Sequence, residues 1–120
     1  MSNETQLFIA LGYCIFMFIL MKVLIKYTPK EPSHIYGYRT RRSLKNQDTW
    51  TEANSFANNF LMKISVWSFL LPPLSYFLFP QETVFITIVG NCFFIVLVLF
   101  FTEHHMSKIF DENGIRKQAQ

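Results

Sequence analysis

Arg39, Arg41, Arg42 and Lys45 crowd into one polar stretch, IYGYRTRRSLKNQDTWTEAN, of a chain that is otherwise mostly apolar. Guanidinium forks match the paired oxygens of a phosphate or a carboxylate. Just after them, Asp48, Thr49 and Glu52 mark a helix start, whose unpaired amides also favour an anion. One chemistry open to this stretch is therefore anion binding between Arg39, Arg41 and the helix N-terminus. The anion is a lipid phosphate, a carboxylate on a partner, or Asp48 and Glu52 of the same chain. The plainer reading is that the basic residues set orientation in a membrane and pair within the loop.

A second polar group follows. Glu52, Ser55, Asn59 and Lys63 fall at three- and four-residue steps, with Asn54 and Asn58 beside them, on the polar side of a helix. Polar groups near hydrocarbon must meet protein or water. Two readings stay open: interhelical hydrogen bonds, or a polar pocket opening to the cytoplasm. Asn91, in the middle of an apolar run, reads as packing glue between helices. Glu103-His104-His105 is a weak metal motif, because helical neighbours point about 100° apart; His34 is the only further histidine in the chain. No metal, cofactor or catalytic residue is expected. The chain has no P-loop, nucleophile elbow, HExxH or dinucleotide fingerprint.

These residues must be positioned by helices. Hydrophobic residues make up 51% of the chain and aromatic residues 18%, more than a small soluble domain could hide from water. Crossing a ~30 Å hydrocarbon layer takes about 20 mostly apolar residues. Three runs qualify, at about residues 7–25, 56–79 and 84–101, leaving a connection at 26–55 and a tail at 102–120. Lys22 can lift its amine to the headgroups. The first run lacks the basic start and cleavage site of a signal peptide and reads as a permanent helix. Cys14 and Cys92 lie inside spans and read as packing residues. The fold class expected is an all-α membrane protein, one domain over residues 1–120. It has three transmembrane helices and an interfacial helical extension at the start of the second.

Local signals add detail. Pro29 and Pro32 stop the first helix, and Gly37 permits a turn. Thr49-Trp50-Thr51-Glu52 is an S/T-x-x-E capping box, so the second helix is expected to begin near Thr49. Pro72 and Pro73 predict a kink in it. Thr83 is expected to cap the third. Ala53 and Ala57 form a small-x-x-x-small pair open to self-association, which makes a homo-oligomer a further expectation. Trp50, Trp67, Tyr27, Tyr36, Tyr38 and Tyr76 suit interfacial anchoring. Every Lys and Arg fits on one side of the membrane, which predicts an outer N-terminus and a cytoplasmic C-terminus. The net charge of +3 is thus a label of orientation and an attraction to anionic lipid, with no nucleic acid as partner.

The block then resembles the signature of the SdpI family of bacterial membrane proteins. The resemblance rests on Gly37, Arg39, Thr40, Ser43, Leu44, Asn46, Trp50 and Asn54 in that order. It implies a multi-pass protein of the bacterial cytoplasmic membrane, linked to immunity against a secreted toxic peptide. The named member also signals by holding a regulatory protein at the membrane. The expected function is immunity or resistance to a membrane-active toxic peptide by binding. The expected partner- or anion-binding residues are Gly37, Arg39, Thr40, Arg41, Asn46, Trp50, Glu52, Asn54 and Asn58. The rival is an interfacial enzyme or carrier for a phosphorylated lipid, with Glu52 as base.

Overall fold

The computed structural model describes residues 2–32 and 37–117; His34 and Tyr36 lie outside the described residues. Helix α1 spans Asn3–Lys26, α2 Gln47–Trp67, α3 Leu71–Leu78 and α4 Thr83–Ile109. Single 3-10 turns, Ser68–Leu70 and Pro80–Glu82, join α2 to α3 and α3 to α4. Three stretches are long and apolar enough to cross a membrane: Asn3–Lys26, Gln47–Leu78 and Pro80–Ile109. The chain is an all-helical, multi-pass membrane protein. The bundle is 55 Å long. A ~30 Å hydrocarbon layer leaves part of that length outside it.

The first two helices start at local caps, and α4 at a distant one. Ser2 caps α1 by accepting the Thr5 N–H at 3.1 Å. The second helix begins earlier than the Thr49 signal predicts. Asn46, extended at φ −159°, is the N-cap and accepts the Thr49 N–H at 2.9 Å. Thr49 Oγ1 returns the bond by accepting the Asn46 N–H at 3.0 Å. Asn is a better cap than Thr, and the box simply closes three residues upstream. Glu52 is thereby freed from capping. Thr83 does not cap α4 either; it is the first helical residue, and its hydroxyl donates to Pro80 O at 3.1 Å. The cap comes from α1, where Gln6 Oε1 accepts the Val84 N–H at 3.1 Å.

The expected kink is a break. Pro72 and Pro73 have no N–H for the carbonyls of Ser68 and Phe69. The helix tightens into the 3-10 turn, whose closing bond runs from Leu71 N–H to Ser68 O. Cys14 Sγ also donates to Ser68 O at 3.4 Å, so the carbonyl that lacks a Pro72 N–H gains a partner from α1.

Within the spans the buried positions are mostly small or polar, while many bulky apolar side chains face outward. Phe8 is 70% exposed and Phe77 83%. Lipid solvates such residues as well as protein does, so helix association depends on close approach and hydrogen bonds. Ala10, Ala53 and Ala57 are fully buried, as are Thr83, Thr87 and Thr102 along α4. Ala53 packs with Met106 and Phe110, and Ala57 with Ile64 and Val98. The small-residue pair thus brings α2 against α4 within one chain, where the sequence pattern pointed to self-association. Asn91 ties all three spans: Tyr13 donates to its Oδ1 at 2.9 Å, and its Nδ2 donates to Ser68 Oγ at 2.9 Å.

Helix α4 continues well past residue 101, where the apolar run ends, so Glu103, His104 and His105 are helical. Beyond Ile109 the tail folds back. Phe110 bridges Arg116, Asp111 N–H bonds to Ile115 O at 2.9 Å, and Lys117 N–H bonds to Ile109 O at 2.8 Å. Gly114 turns this hairpin at φ 79°.

Candidate functional site at the start of helix α2

The polar stretch closes into a knot built on Gly37, Tyr38, Trp50 and Asn54. Gly37 has φ 108°, a backbone state that side chains rarely tolerate. A Cβ there would also stand 2.9 Å from the Trp50 ring and 3.1 Å from Asn54 Oδ1. Asn54, buried on α2, serves the passing chain as a partner strand would. Its Oδ1 accepts the Tyr38 N–H at 2.7 Å, and its Nδ2 donates to Tyr38 O at 3.3 Å and to Trp50 O at 3.0 Å. Trp50 is 1% exposed, and its Nε1 donates to Pro29 O at 2.8 Å. The connection is therefore pinned to α2 on both sides of residues 33–36.

A second tier continues the knot. Thr40 N–H donates to Ser43 Oγ at 2.7 Å, and Ser43 N–H to Thr40 Oγ1 at 3.2 Å. This reciprocal pair turns the chain toward Asn46, which caps α2. Asn46 Nδ2 donates to Gly114 O at 2.7 Å. Gly114 is as tightly seated as Gly37, since a Cβ would stand 2.9 Å from Asn46 Nδ2. The tail hairpin thus locks onto the cap of α2.

Charge is arranged differently from the simplest expectation. Asp48 and Glu52 do meet an arginine, but it is Arg116 of the tail. Arg116 grips Asp48 with two bonds of 2.8 Å and reaches Glu52 at 3.6 Å. Its pKa is raised, mainly by the hydrogen bond to Asp48. His105 Nε2 lies 2.9 Å from Glu52 Oε1 and stacks on Phe56, with ring centroids 4.2 Å apart. Glu52 is held by two basic groups of α4 and the tail, an ion-pair position. His104, one residue earlier, is exposed. Among the described residues no three His, Cys, Asp or Glu side chains group as metal ligands.

Arg39 and Arg41 are exposed at the rim of the knot, and Arg42 pairs with Glu103 at 3.3 Å. Tyr38 donates its hydroxyl to the other Glu103 oxygen at 2.8 Å. Burial, then the Glu103 hydrogen bond and charge, push the Tyr38 phenol well above its ordinary value. Tyr38 and Glu103 tie the stretch to α4. Neither stood among the nine expected binding residues, since nothing local marks a pair so far apart in sequence. The tail hairpin had a signal: Asn113-Gly114 is a strong turn dipeptide.

The amide face divides. Asn54 is internal to the knot, Asn59 is exposed, and Asn58 Nδ2 donates to Thr28 Oγ1 at 3.2 Å. Asn58 and Thr28 form the polar end of a groove of about 500 Å³ between α1, α2 and α4. Gly37 and Tyr38 line the same end, while Met21, Leu24, Leu61 and Val98 form apolar walls. Neither earlier reading holds as stated: the Asn58 bond joins α2 to the chain just past the end of α1, and the pocket beside it is mostly apolar where a polar one was expected.

Comparison with known proteins places this geometry. The model of the SdpI/YfhL protein family matches residues 30–102. That range holds the knot, the broken second span and most of α4, and leaves out the tail hairpin. Uncharacterized protein YfhL of Bacillus subtilis (strain 168) is 40% identical over 47 residues, 38% of this chain and 43% of that relative. The chain therefore spans less than half the length of the curated relative it matches. No solved structure matches it.

Proposed function

The chain belongs to the SdpI/YfhL protein family, and on that premise we propose that it gives immunity to a membrane-active toxic peptide by binding the peptide. The observation that carries this reading is the groove of about 500 Å³ beside the knot. Its apolar walls suit one face of an amphipathic segment, and Asn58, Thr28 and Tyr38 offer hydrogen bonds at one end. The knot holds that end rigid, which spares the ordering cost of binding. The site residues act in two groups: Gly37, Thr40, Asn46, Trp50 and Asn54 shape the groove end, while Arg39 and Arg41 stand outside it. The setting is the bacterial cytoplasmic membrane, with the knot and tail inside, because the basic residues gather at that end. Signalling would use the same end, where a regulatory protein can reach the exposed arginines.

The rival, an interfacial enzyme using Glu52 as base, has less support, because His105 and Arg116 already hold that carboxylate. The test is survival. Expression should protect bacteria against at least one member of a panel of membrane-active peptides. Asn58→Leu at the polar end of the groove, and Leu24→Trp in its wall, should reduce protection at unchanged protein level. Unchanged survival across the panel counts against the proposal.

A further inference from the structure

A second concavity lies on the other side of the Tyr38–Glu103 contact, and its chemistry is that of an amphiphilic anion. It measures about 530 Å³ and is lined by Thr40, Arg41, Arg42, Leu99, Phe100 and Glu103. The floor is apolar and open: Leu99 is 45% exposed and Phe100 64%. These residues lie on α4 near the end of its apolar run, where a span leaves the hydrocarbon. The rim is basic. Glu103 is compensated, one oxygen taking Arg42 Nε at 3.3 Å and the other the Tyr38 hydroxyl at 2.8 Å. Arg41 is exposed and, among the described residues, has no carboxylate within ion-pairing distance. Among the described residues one guanidinium charge thus stands uncompensated beside an exposed aliphatic and aromatic floor.

We infer that this ledge binds one anionic phospholipid, its phosphate on Arg41 with Arg42 beside it and an acyl chain along Leu99 and Phe100. The charge pattern decides the occupant. A zwitterionic lipid would bring its own cation to the Arg41 guanidinium, and a free phosphate would leave the apolar floor empty. The inference requires only that the chain sits in a membrane, and stands whether or not the neighbouring groove binds a peptide.

The test is native mass spectrometry of the full chain released from vesicles of mixed phosphatidylglycerol and phosphatidylcholine. Phosphatidylglycerol should be retained preferentially. Arg41→Gln should lower that retention about fivefold, the effect of one basic residue near a lipid surface. Phe100→Ala should also lower it. Lys108→Gln, a loss of charge elsewhere at the same end, should leave it unchanged. Equal retention of both lipids, or retention indifferent to Arg41→Gln, overturns the inference. So does inorganic phosphate that competes the lipid away at equal concentration, since that would mark a plain anion site. A protein that loses the lipid yet still protects cells separates this inference from the immunity reading.

Discussion

Gly37 lies against the ring of Trp50 so closely that a single added carbon would stand 2.9 Å from it. The contact joins a residue of the connection to a buried residue of α2, and it fixes where the chain enters the groove end. Gly37→Ala adds both that collision and the strain of a side chain at φ 108°. It should destabilise the protein by about 1–3 kcal/mol. Gly12→Ala, with nothing within 4 Å of its Cβ, should be neutral or mildly stabilising. Unfolding midpoints in detergent for the two variants make the comparison.

Asn54→Leu keeps the branched outline of the side chain, with somewhat greater bulk, and removes its bonds to Tyr38 and Trp50. The Tyr38 N–H then loses its partner at a partly buried position, a cost of about 1–3 kcal/mol. Asn59→Leu, on the exposed side of the same helix, should cost far less. Hydrogen exchange at the Tyr38 amide reads the effect directly, and unchanged protection in Asn54→Leu would contradict it.

The tail hairpin depends on Arg116. Arg116→Gln should raise amide exchange at Asp111, Ile115 and Lys117 while leaving the spans protected, because the hairpin is bonded to the cap of α2 and not to the membrane-buried interior. The Arg116–Asp48 pair is about half exposed on both sides. Added salt should therefore loosen the hairpin in the parent chain in the same direction.

Within the membrane, Asn91→Leu loses the bonds to Tyr13 and Ser68. At about 0.6 kcal/mol for each interhelical bond, the cost is about 1 kcal/mol. Tyr13→Phe removes one of the two, and its effect should vanish in an Asn91→Leu background. A double-mutant cycle on unfolding free energy measures that coupling.

Tyr38 carries a pH signature. Its folded-state pKa lies above its ordinary value of 10.0, so the folded protein holds the phenolic proton more tightly than the unfolded chain does. The resulting stability is fully present below pH 10 and is lost as pH rises through the folded value. Tyr38→Phe should flatten the fall in stability between neutral and strongly alkaline pH. An ultraviolet titration of the parent should show one tyrosine ionising after the exposed ones.

The spans and the kink were legible because hydropathy and proline act locally. The knot was legible as an unusual string of residue types, although their roles were not. Gly37 and Trp50 look like separate signals until the fold puts one on the ring of the other. The helix start was misplaced because Thr49 fits both as cap and as the third helical residue, and only the extended backbone of Asn46 decides. Ala53 and Ala57 announced a close helix contact but not whose helix it was. Arg116 and Asp48 are far apart in the sequence, so no spacing rule could prefer Arg116 over the nearer Arg39, Arg41 and Arg42.

Peptide binding in the groove is the central step of the proposed immunity. Its most direct measurement is fluorescence anisotropy of labelled membrane-active peptides from the survival panel, titrated with the protein in nanodiscs. Saturable binding above that of empty nanodiscs is expected, strongly weakened by Leu24→Trp in the groove wall and unaffected by Phe77→Trp on the outer face. Equal binding by the parent and Leu24→Trp, or binding no greater than to empty nanodiscs, would contradict it.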